Sequence, residues 1–308
     1  MLKHIFLAFF LFPLLCLAQR PGKDTVLRYF NTSLEPVKKK EAVFVGVAVK
    51  NETGWHAVVY NDSLRIIMRG RYLDDECRVK DGFFAYNNDL GLRYMSGQFT
   101  RNMKTGWWFT WFPGGGIKDS VFFKNDFPDG RSYRYFESGI VESEGTYKDG
   151  KIDGEWTWYH ENGQIATKEK YANGQLESLE CFDSTGMATG SNCAINRPPA
   201  IKGRYGGVEK FIKDSLRFPA EAASKEVEGY VAVKFNVTKK GEVTEPVILG
   251  SPDPLFSQEA IRVIKSIPAW YPAIWHNRVV EYTYTLNIPF YLGENISPVT
   301  EQSLPDLN

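Results

Sequence analysis

The sequence predicts an exported protein built from two folds: an all-β array of stacked antiparallel hairpins, followed by a small α+β domain. The first observation is a 24-residue repeat of glycine and aromatic residues between positions 54 and 180. The second is a change of hydrophobic periodicity after Pro198, where alternating helices and strands begin. The third is an apolar N-terminal run, which is typical of an export signal. A length of 308 residues fits two domains.

The segment 1–18 is interpreted as a signal peptide. A polar start precedes an apolar run from Ile5 to Leu17, and Ala18 supplies the small residue that cleavage requires. The run is shorter than the roughly 20 residues of a transmembrane helix, so cleavage is the first interpretation. An uncleaved inner-membrane anchor and a lipoprotein site at Cys16 stay open as alternatives. The predicted location is the periplasm or cell envelope of a double-membrane bacterium.

Four repeat units place glycine and aromatic residues in three columns, each with a spacing of 24 residues. The columns are Gly82, Gly106, Gly130 and Gly154; then Gly91, Gly115, Gly139 and Gly163; then Phe99, Phe123, Tyr147 and Tyr171. A degenerate earlier unit begins near Gly54. A fixed period of this kind predicts units that bury their apolar faces only against their neighbours.

Each unit is predicted to form a β-hairpin. Glu161-Asn162-Gly163 separates two strand-like runs, and Asn-Gly is the strongest short hairpin motif because both turn residues take positive φ. The stretch from Gly145 to Gly163, GTYKDGKIDGEWTWYHENG, resembles a MORN-type repeat, and more closely the variant repeat of bacterial secreted and antitoxin-like proteins. The resemblance implies an extended antiparallel sheet over roughly 54–180 and no catalytic activity.

The aromatic residues of the array have two interpretations: they pack the sheet, or they form a binding strip for carbohydrate, peptide or lipid headgroup. Their repeat phase favours packing. Because successive strand residues point to opposite faces, one member of each adjacent pair must lie on the less buried face. The candidates for this repeat aromatic surface are Trp107, Trp108, Trp158 and Tyr159.

The periodicity of residues 198–293 predicts the order helix, strand, strand, helix, strand. The first helix is indicated by one apolar face, formed by Val208, Phe211, Ile212 and Leu216. Alternating apolar residues predict a strand over 229–237, and a second strand follows over 243–249. A helix over 257–266 and a long final strand over 279–292 complete the domain.

Short motifs are spread over this domain: Gly206-Gly207, Phe218-Pro219, the run from Gly229 to Val237, Gly250-Ser251, Glu259-Ala260 and Pro268-Ala-Trp270-Tyr-Pro272-Ala273. In their order and residues they resemble the C-terminal domain of TonB-family energy transducers. The resemblance implies that the last strand accepts an extended segment of another protein, such as an outer-membrane receptor, as an added strand. The candidate partner-binding residues are Val280, Tyr282, Tyr284, Leu286 and Ile288.

Pro289 suits an edge strand because proline cannot donate a hydrogen bond. An edge that is covered by a neighbour, by dimerisation or by the repeat array stays open as an alternative. The family's transducers also carry an N-terminal membrane anchor and a long proline-rich spacer, whereas here the repeats occupy the place of the spacer. We therefore expect the fold of the family rather than coupling to the proton-motive force.

The remaining segments connect these parts. Residues 19–53 are predicted as a lead with a first strand, 181–197 as a linker rich in turn formers, and 294–308 as a flexible tail. Cys181 and Cys193 are a candidate disulfide, with two unpaired thiols as the alternative.

Composition and motifs argue against several classes of function. The 37 basic and 37 acidic side chains give no net charge, so nothing predicts nucleic-acid binding. No nucleophile elbow, P-loop or zinc spacing is present, so we expect no enzyme and no cofactor. Three hypotheses remain: a periplasmic protein-binding module, a TonB-like transducer in outer-membrane transport, and a repeat protein that contacts cell-wall carbohydrate. Membrane association is expected only through partners or an uncleaved signal.

Overall fold

The computed structural model describes residues 23–203, 206–244, 246–292 and 300–301. The predicted signal peptide lies outside the described residues, as do 294–299 and 302–308 of the predicted tail. The chain divides into two compact units, Met1–Leu179 and Glu180–Asn308. The predicted fold classes are confirmed: a long antiparallel sheet carries the repeats, and a mixed α+β domain follows.

The long sheet has 15 strands. They are β1 (Thr25–Phe30), β2 (Pro36–Val37), β3 (Phe44–Asn51), β4 (Gly54–Tyr60), β5 (Ile66–Tyr72), β6 (Lys80–Asn87), β7 (Arg93–Thr100), β8 (Met103–Trp111), β9 (Ile117–Lys124), β10 (Phe127–Tyr135), β11 (Val141–Lys148), β12 (Lys151–Tyr159), β13 (Ile165–Ala172), β14 (Gln175–Phe182) and β15 (Ala188–Gly190). Their spatial order follows the sequence, except that β1 lies between β2 and β3. The lead with one strand that was expected at 19–53 therefore contributes three strands to the sheet, β1, β2 and β3.

The glycine and aromatic columns of the repeat face each other across neighbouring strands. The cross-strand pairs are Gly82 with Phe99, Gly106 with Phe123, Gly130 with Tyr147 and Gly154 with Tyr171. Each glycine of this column has positive φ, a conformation that side chains disfavour. The 24-residue period thus repeats one hairpin in which a left-handed glycine lies opposite an aromatic ring.

A second close contact between a glycine and an aromatic ring recurs after two repeat periods, which is 48 residues. A Cβ built on Gly97 would lie 2.2 Å from the ring of Trp108, and one on Gly145 would lie 2.2 Å from the ring of Trp156. Both tryptophans are buried, with 4% exposure each. Each indole therefore lies flat against a neighbouring strand where only glycine leaves room.

The main core of the repeat unit lies on one face of β1 and β3–β9. Its largest fully buried side chains include Phe30, Met68, Tyr72 and Phe84. Ring contacts at 5.1 Å connect Phe84 with both Tyr72 and Phe99, in edge-to-face geometry that aromatic pairs favour. This continuous row of rings explains why a single hairpin of the array could not be stable alone.

The described residues of the second unit form three helices and three small sheets. The helices are α1 (Val208–Ser215), α2 (Ala220–Ser224) and α3 (Pro254–Ser266). The strands are β16 (Asn196–Arg197), β17 (Ala200–Ile201), β18 (Gly229–Val237), β19 (Val247–Gly250), β20 (Trp270–Tyr271), β21 (Ala273–Trp275), β22 (Arg278–Val280), β23 (Tyr282–Phe290) and β24 (Thr300–Glu301). The largest of the small sheets has the order β19-β18-β23-β24.

Helix α3 packs across this sheet. It begins at Pro254, and the Asp253 carboxylate caps it by accepting a hydrogen bond of 2.7 Å from the Leu255 amide. Phe256 of this helix stacks on Phe290 of β23 with 4.3 Å between ring centroids. The predicted helices and the strand over 229–237 are confirmed. The predicted second strand is shorter than expected: Val243 makes only an isolated bridge to Val237, and β19 begins at Val247.

Candidate partner-binding surfaces

The inner side of β23 is fully paired. All nine residues of this strand pair with β18, from Gly229 with Phe290 to Val237 with Tyr282. Pro289 pairs with Tyr230 in this register. The continuous ladder fixes the position of β23 and leaves its other side as the candidate binding edge.

The side chains predicted to bind a partner point into the domain core. Tyr284, Leu286 and Ile288 are at most 3% exposed, and Tyr282 packs against the same core. The Tyr284 hydroxyl donates a hydrogen bond of 3.2 Å to the Pro199 carbonyl oxygen. These side chains hold β23 in place. A partner at this strand would therefore contact its backbone and the side chains on its other face.

The assignment of Val280 to the final strand is wrong. Val280 lies in β22, where it pairs with Ala273 of β21, and Glu281 separates it from β23. The turn at His276 and Asn277, both with positive φ, makes β21 and β22 a separate hairpin. The alternation of apolar residues continues through Val280, which is why periodicity alone merged the two strands.

Sequence reasoning missed the other face of β23. Thr283, Thr285 and Asn287 alternate with the core residues and are half-buried. Thr283 Oγ1 donates a hydrogen bond of 2.9 Å to the Asn236 side chain on β18. The two-residue period of a strand could have identified this polar row, because it is the complement of the apolar row.

The outer side of β23 is partly paired with the chain itself. Within the described residues, β24 pairs with Leu286 and Asn287 and with no other residue of β23. This contact lies inside the segment that the sequence predicted as a flexible tail. The unpaired hydrogen-bonding groups of an edge strand attract an extended segment, which gives the physical reason for the contact. The rest of the outer edge, towards both ends of β23, has no partner strand in the described part of the chain.

The residues of the predicted repeat aromatic surface lie on both faces of the sheet, because successive side chains of a strand point in opposite directions. Trp108 is 4% exposed in the core, whereas Trp107 is 37% exposed on the opposite face. Trp107 lies 5.6 Å from Phe122 and 6.3 Å from Tyr133, measured between ring centroids. The opposite face of the sheet thus carries its own row of aromatic rings, which solvent reaches.

The second pair is more buried. Trp158 is 6% exposed and stacks on Trp156 at 6.1 Å. The Tyr159 hydroxyl donates a hydrogen bond of 2.6 Å to Glu144, and burial raises the pKa of this phenol to about 12. Trp158 therefore belongs to the packing of the array, and Tyr159 is the member of the pair on the less buried face.

The cysteines fall into two classes. Cys181 and Cys193, 12 positions apart, form a disulfide. The thiol of Cys77 is free and buried, and burial raises its pKa to about 12. The disulfide closes the segment that the sequence predicted as a linker. In the described residues of that segment, short strands β15 and β16 replace the expected irregular structure.

No catalytic constellation is recognisable in the described residues. His56 shares a hydrogen bond of 2.9 Å with Thr53, and His276 lies buried in the turn between β21 and β22. His160 follows β12, so these three of the chain's four histidines belong to different elements. No group of three or more metal-ligating side chains occurs among the described residues.

Comparison with known proteins gives two family matches. Residues 214–292 match the family described as Gram-negative bacterial TonB protein C-terminal. Residues 128–149 and 152–173 match the MORN repeat variant. No curated protein matches the chain. Across the described residues, no helix combines the length and hydropathy needed to cross a membrane. The chain thus carries MORN-variant repeats followed by a domain similar to the TonB C-terminus, in the order that its sequence predicts.

Proposed function

We propose that this chain is a non-catalytic protein of the cell envelope, and that its second unit binds an extended segment of a partner protein along the outer edge of β23. The observation that carries the proposal is the asymmetry of this strand. Its inner side is paired along all nine residues, whereas among the described residues its outer side pairs with the chain only at Leu286 and Asn287. The similarity of residues 214–292 to a Gram-negative TonB domain supports the envelope location.

An edge of this kind suits strand addition for a physical reason. Unpaired backbone N–H and C=O groups offer a ready ladder to an extended peptide. The core beneath β23 holds the strand rigid through the Phe256–Phe290 stack and the buried residues Leu286 and Ile288. A rigid strand loses little conformational entropy on binding, which favours association. The repeat array would act as a scaffold or as a second contact surface.

Photo-crosslinking in the cell envelope tests the binding edge. A photo-crosslinking amino acid replaces Thr285 on β23 in one variant and Lys234 on β18 in the other. These two residues pair across the sheet, so the two probes lie on the same face and differ by one strand. A partner strand added to β23 would lie about 5 Å from the first probe and about 10 Å from the second.

We expect an adduct with an envelope protein from the Thr285 position and a much weaker one from Lys234. Mass spectrometry of the adduct should locate a short extended segment of the partner. Equal labelling from both positions, or no adduct from Thr285 in a folded variant, would reject the edge as the binding site. Fractionation of the same cells checks the envelope location separately.

A further inference from the structure

Three arginines line one groove on the face of the repeat sheet opposite its main core. The groove has a volume of about 810 Å³, and Arg65, Arg69 and Arg93 border it together with Trp111 and Gly114. Arg69 stands between Met68 and Gly70, which are buried on the core side. Strand alternation therefore directs Arg69 to the opposite face.

The strand register explains how these arginines meet. Arg69 of β5 pairs with Ala85 of β6, and Arg93 of β7 pairs with Asn87 of β6. The two arginines thus flank β6 from both sides, about 10 Å apart in strand spacing. Between them, Ala85 is too small to fill the space, which leaves the groove open.

The charge in the groove is not neutralised within the described residues. None of the three guanidinium groups forms an ion pair there. Arg93 lies 5.5 Å over the ring of Trp111, and Arg65 reaches only a backbone carbonyl oxygen, that of Asp89, at 3.4 Å. Three other arginines of the first unit are paired at 2.6–2.8 Å: Arg28 with Asp75, Arg71 with Asp81 and Arg134 with Asp119.

This contrast points to a ligand. Three arginines that border one concave site place like charges near one another, and an anion bound between them would reduce their repulsion. Guanidinium groups match phosphate and carboxylate geometry by donating two parallel hydrogen bonds. Because Arg93 stacks on Trp111, the motion of its guanidinium group is already restricted in the absence of a ligand.

We propose that this groove binds a small multivalent anion, one that carries two or more phosphate or carboxylate groups. The site is independent of the β23 edge, because all its residues lie in the first unit. Arg69 and Arg93 lie on the two strands that flank β6, so an anion bound over Ala85 would contact both. Trp111 and the turn at Gly114 close the end of the groove.

One acidic side chain lies close to Gly114, at the end of the groove, and provides a further variant for the test. A carboxylate oxygen of Glu137 lies 3.7 Å from the position that a Cβ on Gly114 would occupy. Glu137 therefore opposes anion binding through like-charge repulsion. Its replacement should strengthen binding, whereas replacement of a groove arginine should weaken it.

The experiment measures binding of inorganic tripolyphosphate and of citrate to the full chain by calorimetry at two salt concentrations. The variants are Arg69→Gln, Arg93→Gln and Glu137→Gln, with Lys148→Gln as the control. Lys148 is exposed on β11 outside the groove and loses the same charge. The groove arginines are also exposed, and thermal unfolding of each variant checks that the fold is intact.

We expect saturable binding of one of the two probes, weakened about tenfold or more by each arginine variant, the effect expected from loss of one charge-assisted contact. Glu137→Gln should tighten binding, and Lys148→Gln should change it less than twofold. The probe that binds identifies phosphate or carboxylate as the ligand group. Absence of binding by both probes, or equal weakening by Lys148→Gln and the arginine variants, would overturn the proposal.

Discussion

Replacement of Gly145 by alanine tests the close contact between glycine and indole that recurs in the array. The new Cβ would lie 2.2 Å from Trp156 Cδ2 and 2.3 Å from Trp156 Cε2. Carbon atoms in contact normally stay about 3.5–4.0 Å apart, so the ring must retreat by more than about 1 Å. The ring is held by a hydrogen bond of 2.9 Å from its Nε1 to the Thr146 carbonyl oxygen, and by an edge contact of 5.2 Å with Tyr147.

The size of the effect follows from three contributions. Overpacking of a filled core costs about 1–3 kcal/mol. Loss or distortion of the indole hydrogen bond adds about 1 kcal/mol. Because Gly145 does not have positive φ, alanine also restricts the unfolded chain, which offsets about 0.4–1 kcal/mol. We therefore expect Gly145→Ala to lower the free energy of unfolding by about 1–3 kcal/mol, within the combined range of these contributions.

The assay is urea unfolding of the full chain, followed by circular dichroism. Hydrogen exchange measured by mass spectrometry assigns the lost protection to β11 and β12. The control is Gly116→Ala, since the nearest atom to its Cβ, Phe112 Cδ2, is 3.9 Å away and its φ is not positive. We expect this control to be neutral or slightly stabilising.

A double-mutant cycle separates the steric cause from others. In a Trp156→Ala background the Cβ at position 145 meets no ring, so Gly145→Ala should no longer destabilise. If Gly145→Ala destabilises equally in both backgrounds, or no more than Gly116→Ala does in the parent chain, the close-contact explanation is refuted.

Reduction of the Cys181–Cys193 disulfide should lower the free energy of unfolding by about 3 kcal/mol, because it frees a short loop in the unfolded chain; an unchanged urea midpoint with reductant would contradict this. Cys77 should resist thiol reagents at pH 8 until the chain unfolds, because burial raises its pKa to about 12; rapid labelling of the native protein would argue against that environment. Burial, helped by the hydrogen bond to Glu144, raises the pKa of Tyr159 to about 12, so stability should fall from about pH 10 to pH 12. Tyr159→Phe should remove part of that fall in urea unfolding followed across this range.

The repeat could be predicted from the sequence because it is a local signal repeated at a fixed distance. Gly82 and Phe99 lie in one hairpin, and the turn between them fixes their pairing. By contrast, the contact of Gly145 with Trp156 depends on a register irregularity between Glu144 and Thr146. Periodicity does not report such an irregularity, so the close contact emerged only from the structure.

In the second unit, too, elements with a local sequence pattern could be predicted, whereas features that depend on strand pairing could not. Helix α3 and strand β18 follow from their own periodicity and, for α3, from a cap at Asp253. The end of β22 could not be predicted, since Glu281 interrupts pairing and not the alternation of side chains. The arginine groove was missed because its members become neighbours through the register of β5, β6 and β7. Arg69 pairs with Ala85 whereas Arg93 pairs with Asn87, so the two arginines occupy different positions in their strands and the repeat phase does not align them.

The burial of Tyr284, Leu286 and Ile288 changes how a partner of β23 should be sought. The apolar alternation that reveals a strand in a sequence marks the side chains that face the core, and their removal destabilises the domain whether or not a partner binds. Strand addition reads backbone groups, which no side-chain truncation removes. Alanine substitutions in this strand would therefore confuse folding with binding. A probe at Thr285, on the half-buried face of the same strand, leaves the core intact and reports proximity, so it separates the two effects.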